Sequence, residues 1–158
     1  MDKKMKVHYS SKSNEWTTPD DFYNNLNKRF GFTLDPASNG VNAKCDKFYT
    51  QEDDGLLQDW YNDTVFCNPP YGRELKHWVK KAYDESLKSD NKIVLLIPAR
   101  PDTRYWHDYI FGKASVYFVK GRLKFGDGKN SAPFPSAVIV YNEELTMGTM
   151  SNKGEIDG

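Results

Sequence analysis

Apolar positions along the chain follow two rhythms, one near four residues and one of two. Phe22, Leu26 and Phe30 recur at helical spacing, after Thr18 as a cap and Pro19 as a first helical position. Asp20 and Asp21 suit the positive end of that helix, and Gly31 supplies its stop. Leu75, Trp78, Val79 and Ala82 predict a second helix from about Arg73 to Leu87, and "DTRYWHDYIFG" a third, capped by Asp102 or Thr103 and stopped by Gly112. Between these lie short apolar or alternating runs, "FTLDPAS", "KFYT" and "TVFC", and then "KIVLLIPAR", the strongest buried-strand signal in the chain. "DDGLLQDWYND" predicts a turn or short helix. After "ASVYFVKGRLKFG" a glycine- and proline-containing loop leads to "AVIVY", which predicts an antiparallel hairpin at the edge of a mostly parallel sheet. Strands alternating with helices imply a three-layer α/β fold. Trp60, Trp78 and Trp106 sit in patterned segments and are expected in the core.

Length and composition narrow this picture. At 158 residues the chain fits one domain, read as an N-terminal flexible arm over 1–14, a body over 15–142, and a disordered tail over 143–158 without periodicity. Basic and acidic residues balance at 22 each, so any nucleic-acid-binding surface must be local. Cys45 and Cys67 have no metal-ligand spacing, nor do His8, His77 and His107, so no metal is expected and the cysteines are read as structural, in a reducing compartment. Without an apolar run near the roughly 20 residues of a membrane helix, and without a signal-peptide core, a cytoplasmic protein with no membrane partner is expected. Oligomeric state is left open.

The chemistry is concentrated in "FCNPPYG". Two prolines end the preceding strand and present Asn68, Pro69, Pro70 and Tyr71 at its carboxyl end, where open α/β folds bind ligands. An aromatic amine is a poor nucleophile because its lone pair is delocalised into the ring. Two acceptors that take both amine hydrogens favour a pyramidal nitrogen and stabilise the charge that grows there during attack. The Asn68 side-chain oxygen and the Pro69 carbonyl can be those acceptors, Pro70 helps to stiffen the turn, and the Tyr71 ring can stack on a flat base.

The resemblance extends beyond the tetrapeptide. "EWTTP", "FTLDPAS", "DGLLQDW", "FCNPPYG", "LLIPAR", "KGRLKFG" and "APFPSAVIV" occur in the order found in the phage-type DNA N6-adenine methyltransferases, the small Dam-like family with an Asn-Pro-Pro-Tyr motif. It covers roughly Glu15 to Tyr141, which makes the body a methyltransferase domain of Rossmann-like fold. It implies S-adenosylmethionine as donor, a flipped adenine in DNA as acceptor, and a phage or prophage gene. By the same resemblance Thr18 and Pro19 match a segment beside the cofactor's methionine end, Thr17 is placed with them in the cofactor set, and Trp16 is either a hydrophobic anchor or part of the cofactor wall. Asp35, Pro36 and Ala37 look like a shortened cofactor motif, Asn68 touches cofactor as well as base, and the ribose acid is Asp46 or Asp54, Asp54 being preferred. The glycine-rich turn usual after the first strand is replaced by "DPASNGV", and the short interval from Asp35 to Asn68 implies an abbreviated fold.

Lys120, Arg122, Lys124 and Lys129 surround a glycine-containing loop flanked by Phe125 and Phe134. They read either as a solvated hairpin or as phosphate contacts, joined by Arg100 and Arg104, with one phenylalanine packing on the flipped base. The rival readings are a methyltransferase of another planar amine, an RNA base or protein glutamine, and a DNA- or cofactor-binding module without turnover.

Overall fold

The computed structural model describes residues 16–126 and 128–158. The predicted arm over 1–14 lies outside them. Helix α1 spans Asp20–Phe30, and two-residue strands β1 (Leu34–Asp35) and β2 (Lys47–Phe48) follow. A 3-10 turn at Gly55–Leu57 precedes β3 (Val65–Cys67), α2 (Leu75–Ser86), β4 (Ile93–Pro98) and α3 (Arg104–Tyr109). Strands β5 (Ser115–Val119), β6 (Ser136–Tyr141) and β7 (Met147–Met150) complete the order.

Among the described residues one sheet holds seven strands in the order β2-β1-β3-β4-β6-β5-β7. Strands β2, β1, β3 and β4 are parallel, β6 runs against both β4 and β5, and β7 is parallel to β5. Only β6 is reversed, which is the mostly parallel sheet with an antiparallel hairpin that the pattern predicted.

Side-chain alternation builds the layers. Ile93, Leu95 and Ile97 of β4, with Ala137, Ile139 and Tyr141 of β6, face a core shared with Leu75, Trp78, Val79 and Ala82 of α2 and with Trp60 and Trp106. Val94 and Leu96, with Val138 and Val140, face a second core shared with Phe22, Tyr23 and Leu26 of α1 and with Leu123 and Phe125. Because both faces are covered, the central strands read as continuous apolar runs. The three tryptophans are core residues as expected.

A buried acid ties the approach to β3 onto α2. The Glu85 carboxylate accepts the Trp60 amide at 2.5 Å and pairs with Lys88. Burial pushes this carboxyl up, but the Lys88 and Trp60 hydrogen bonds and the Lys81 charge outweigh that and hold it below its ordinary value.

Two expectations need correction. Residues 143–158 were expected to be a disordered tail, yet Met147–Met150 pairs with β5, and Met150 bridges to Ile156. An edge strand is held by backbone pairing, so Met147, Gly148 and Thr149 carry no buried alternation to read. The tail then packs on α1, where a Cβ on Gly154 would lie 2.5 Å from the Phe22 carbonyl, and Gly154 has φ +90°. Second, Thr18 makes no capping bond: α1 begins after Pro19, and the Thr18 hydroxyl is used elsewhere.

Candidate active site at the carboxyl rim

Strands β1, β3 and β4 are parallel neighbours, so Asp35, Asn68 and the residues after Pro98 emerge at one rim. Pro69 and Pro70 cannot donate to a ladder, and β3 stops at Cys67. Asn68 is held on every side. Its Nδ2 donates to the Trp16 carbonyl at 2.6 Å and to the Thr18 hydroxyl at 3.1 Å, while its Oδ1 accepts from the Tyr71 hydroxyl at 2.7 Å. The same hydroxyl lies 3.3 Å from the Leu96 carbonyl. Burial pushes the Tyr71 phenol well above its ordinary range, which keeps it a donor at neutral pH.

A cleft opens beside this group. Its walls include Trp16, Thr17, Thr18, Asp35 and Ala37 from the predicted cofactor set, and all four residues of the Asn-Pro-Pro-Tyr turn. Asp35 is 4% exposed and is the buried acid of the cleft. Burial raises its carboxyl from an ordinary 3.8 to about 6, against the pull of the Lys44 and Ala37 amides and the Lys44 charge. Its oxygens accept those amides at 3.0 and 3.3 Å, so it organises the loop after β1 as well as lining the cleft.

A second cavity shares Trp16 and Tyr71 with this cleft. Trp16 and Tyr71 line it together with Arg73, Pro98, Arg100, Tyr105 and Phe134. The rings of Trp16, Tyr71, Phe125 and Phe134 form one aromatic group with centroids 5.1 to 6.4 Å apart. Phe125 and Phe134 thus pack against Trp16 and Tyr71, and Phe134 and Arg100 line the outer cavity.

Other predicted residues lie elsewhere. Asp54, the preferred ribose acid, is not in the cleft wall; it sits at φ 55° and caps the 3-10 turn by accepting the Leu56 amide at 3.2 Å. Asp46 is exposed and also outside that wall. Pro19 borders a separate pocket with Arg122 and Lys124. Pro36 is not in the cleft wall; its carbonyl packs against Gly55, where a Cβ would come within 2.2 Å. Lys120 is paired with Asp157 at 2.9 Å, and Arg104 with Asp108 at 3.5 Å, so neither is an unengaged phosphate ligand. Lys129 is exposed and does not line either cavity.

Three cleft residues escaped the sequence reading: Asn42, Lys44 and Phe66. Asn42 donates to the Thr17 hydroxyl at 3.1 Å, and its oxygen accepts the Asn39 amide at 3.1 Å. Lys44 pairs with Asp20 at 2.9 Å. "NGVNAKC" has no period; its only legible signal was its two asparagines, whose side chains can bond nearby backbone, and a turn-forming glycine. Arg73 and Tyr105, in the outer cavity, were missed because they belong to helical stretches read for packing.

Cys45 and Cys67 are free thiols, and the described residues contain no group of three His, Cys, Asp or Glu able to hold a metal ion. No helix among them is long and apolar enough to cross a membrane.

Comparison with known proteins gives the family. The model of the family DNA N-6-adenine-methyltransferase (Dam) matches residues 6–155. A protein of Escherichia phage T1 named DNA N-6-adenine-methyltransferase is 31% identical over 144 residues, covering 89% of this chain and 60% of that protein. YfdM of Escherichia coli strain K12, provisionally named a methyltransferase, is 42% identical over 64 residues, 36% of this chain and 70% of its own length. The chain thus spans about three fifths of the phage relative. With a family match over nearly its whole length and a cleft built on Asn68-Pro69-Pro70-Tyr71, the chain belongs to the DNA N-6-adenine-methyltransferase (Dam) family.

Proposed function

We propose that the protein is an S-adenosylmethionine-dependent DNA methyltransferase acting on the N6 amino group of an adenine rotated out of the duplex. One observation carries this reading: the inner cleft with Asp35 and the outer cavity with Arg100 share the Trp16–Tyr71 wall, with Asn68 at the inner cleft. A donor in the first and a base entering through the second would meet at Asn68.

The residues present fit a cationic donor. Asp35 is a buried carboxylate without a dedicated cationic partner of its own, since Lys44 is paired with Asp20, and a positive ligand offsets the cost of ionising it. Thr17 and Asn42 add polar contacts, and Trp16 and Phe66 apolar walls. S-adenosylmethionine supplies an electrophilic methyl carbon on a sulfonium. Asn68 accepts one hydrogen of the adenine amine through its oxygen, and the Pro69 carbonyl accepts the other, which localises the nitrogen lone pair for attack. The amine proton becomes acidic only as the new bond forms, so no strong base is needed, and alignment does most of the work. A base within a helix cannot present that nitrogen in line, hence the extrusion; in stacking it displaces a ring contact of the aromatic group. Arg100, Arg122 and Lys124 are exposed and are the proposed phosphate contacts.

The test is incubation of the protein with labelled donor and unmethylated duplex DNA, with RNA and protein as parallel acceptors. Label at adenine N6 is expected. Asn68→Ala should cut turnover roughly 100- to 1000-fold with donor binding kept; label only in RNA or protein, or undiminished turnover in the variant, would overturn the reading.

A further inference from the structure

The hydrogen bonds around Asn68 carry an inference that rests on the proposed function and deepens it. A carboxamide has two nearly isosteric orientations, and only one aims oxygen at an incoming amine. One group here selects between them, and two hydroxyls, each able to donate or accept, hold the result. The Trp16 carbonyl, 2.6 Å away, can only accept, so it demands the NH2 side; the opposite orientation would place two oxygens at that distance. The Thr18 hydroxyl takes the second amide hydrogen at 3.1 Å from a residue 3% exposed. From the other side, the Tyr71 hydroxyl donates to Oδ1 at 2.7 Å. Both amide hydrogens are then satisfied, and one of the two oxygen lone pairs remains.

We propose that Thr18 and the Tyr71 hydroxyl are positioning residues that lock the Asn68 carboxamide with a free oxygen lone pair turned toward the acceptor amine. Thr18 makes no capping bond to α1, whose cap position is Pro19, and its hydroxyl is engaged with Asn68 instead. The lock explains a carboxamide at position 68: a carboxylate would set an anion against the Trp16 carbonyl. The segment carrying the lock is itself anchored from two directions. Asn42 donates to the Thr17 hydroxyl at 3.1 Å, and the Gly126 amide donates to the Thr17 carbonyl at 3.0 Å. The loop bearing Phe125 is therefore tied, through residues 16–18, to the orientation of Asn68.

The experiment compares wild type, Thr18→Val, Thr18→Ser and Tyr71→Phe by single-turnover methyl transfer, donor affinity by calorimetry, and solvent exchange of the Asn68 side-chain amide protons by NMR, assigned by their loss in Asn68→Ala. One hydrogen bond removed should slow transfer about tenfold in Thr18→Val and in Tyr71→Phe, with donor affinity within about twofold. Thr18→Ser should restore the rate. The Asn68 amide protons should exchange more slowly than those of an exposed asparagine, and faster in Thr18→Val than in wild type. Tyr71→Phe keeps the ring and gives a second test should Thr18→Val fold poorly. Unchanged rates in both variants, a donor-affinity loss as large as the rate loss, or no rescue by serine overturns the lock. Fast amide exchange in wild type overturns it whatever the activity. A wild type that methylates nothing refutes the proposed function instead, and the exchange result still judges the lock.

Discussion

The middle of the sheet and its β1–β2 edge are held by different forces. Strands β4 and β6 run six residues each, pair along their whole length, and bury every side chain on two faces. Strands β1 and β2 have two residues each, and the loop between them is shaped by side chains bonding nearby amides: Asp35 to Ala37 and Lys44, Ser38 to Gly40, Asn39 to Val41 and Asn42. The first region is stabilised by apolar area and has little reason to respond to a ligand. The second contains charge and polar contacts that a ligand can alter, and the cleft is built on it.

Leu95→Ala should have the largest effect, and on stability alone. The side chain is fully buried in the middle of the sheet, so a loss of about 2–5 kcal/mol in denaturant unfolding is expected. Donor affinity of the folded protein should stay as it was; a large drop would mean the two regions are not separable. Gly55→Ala is the converse. A new Cβ 2.2 Å from the Pro36 carbonyl and 3.0 Å from the Trp78 ring forces backbone to move, costing about 1–3 kcal/mol in a thermal or denaturant melt. Because the moved segment carries Asp35 and Ala37, donor affinity should fall about tenfold, and an affinity left intact would show that the loop tolerates displacement.

Asp35 sharpens the contrast through pH. Its native carboxyl holds a proton up to about pH 6, whereas the unfolded chain releases it near 3.8, so the native state binds more protons between those values. On this group's account stability falls as pH rises through that window and is flat above it. Donor affinity should run the other way, weakening by up to about tenfold per pH unit below 6, because a cationic ligand needs the ionised form. Calorimetry from pH 5 to 8 tests this; a flat profile would remove Asp35 as the acid that meets the donor. The smallest effect is expected from Arg100→Ala, which should weaken DNA binding a few-fold and lower the slope of log affinity against log salt by about one.

What could be read in advance follows the reach of each interaction. The Asn-Pro-Pro-Tyr turn was legible because two prolines and a carboxamide state their geometry locally. Helices α1 and α2, the strands at "TVFC", "KIVLLIPAR" and "AVIVY", and the single reversed strand were legible because burial on one or two faces leaves a period. Thr18 was visible as a cap, and its true partner was not: Asn68 lies far along the chain, and capping and amide-holding use the same hydroxyl. Asp54 had the right charge for a cofactor ligand, but its left-handed turn uses the carboxylate on Leu56. Lys120 belonged to a basic run until Asp157 came beside it.

By itself the sequence determined the layer order, the covered central strands and the chemical identity of the motif, since each depends on near neighbours or on apolar patterning. Tertiary structure alone decided that β7 completes the sheet, that Asn42 and Lys44 enter the cleft, and that Trp16 and Thr18 take both hydrogens of one carboxamide. Those outcomes depend on pairing distant groups that carry no period, and a hydroxyl or amide looks the same in the chain whichever partner the fold brings to it.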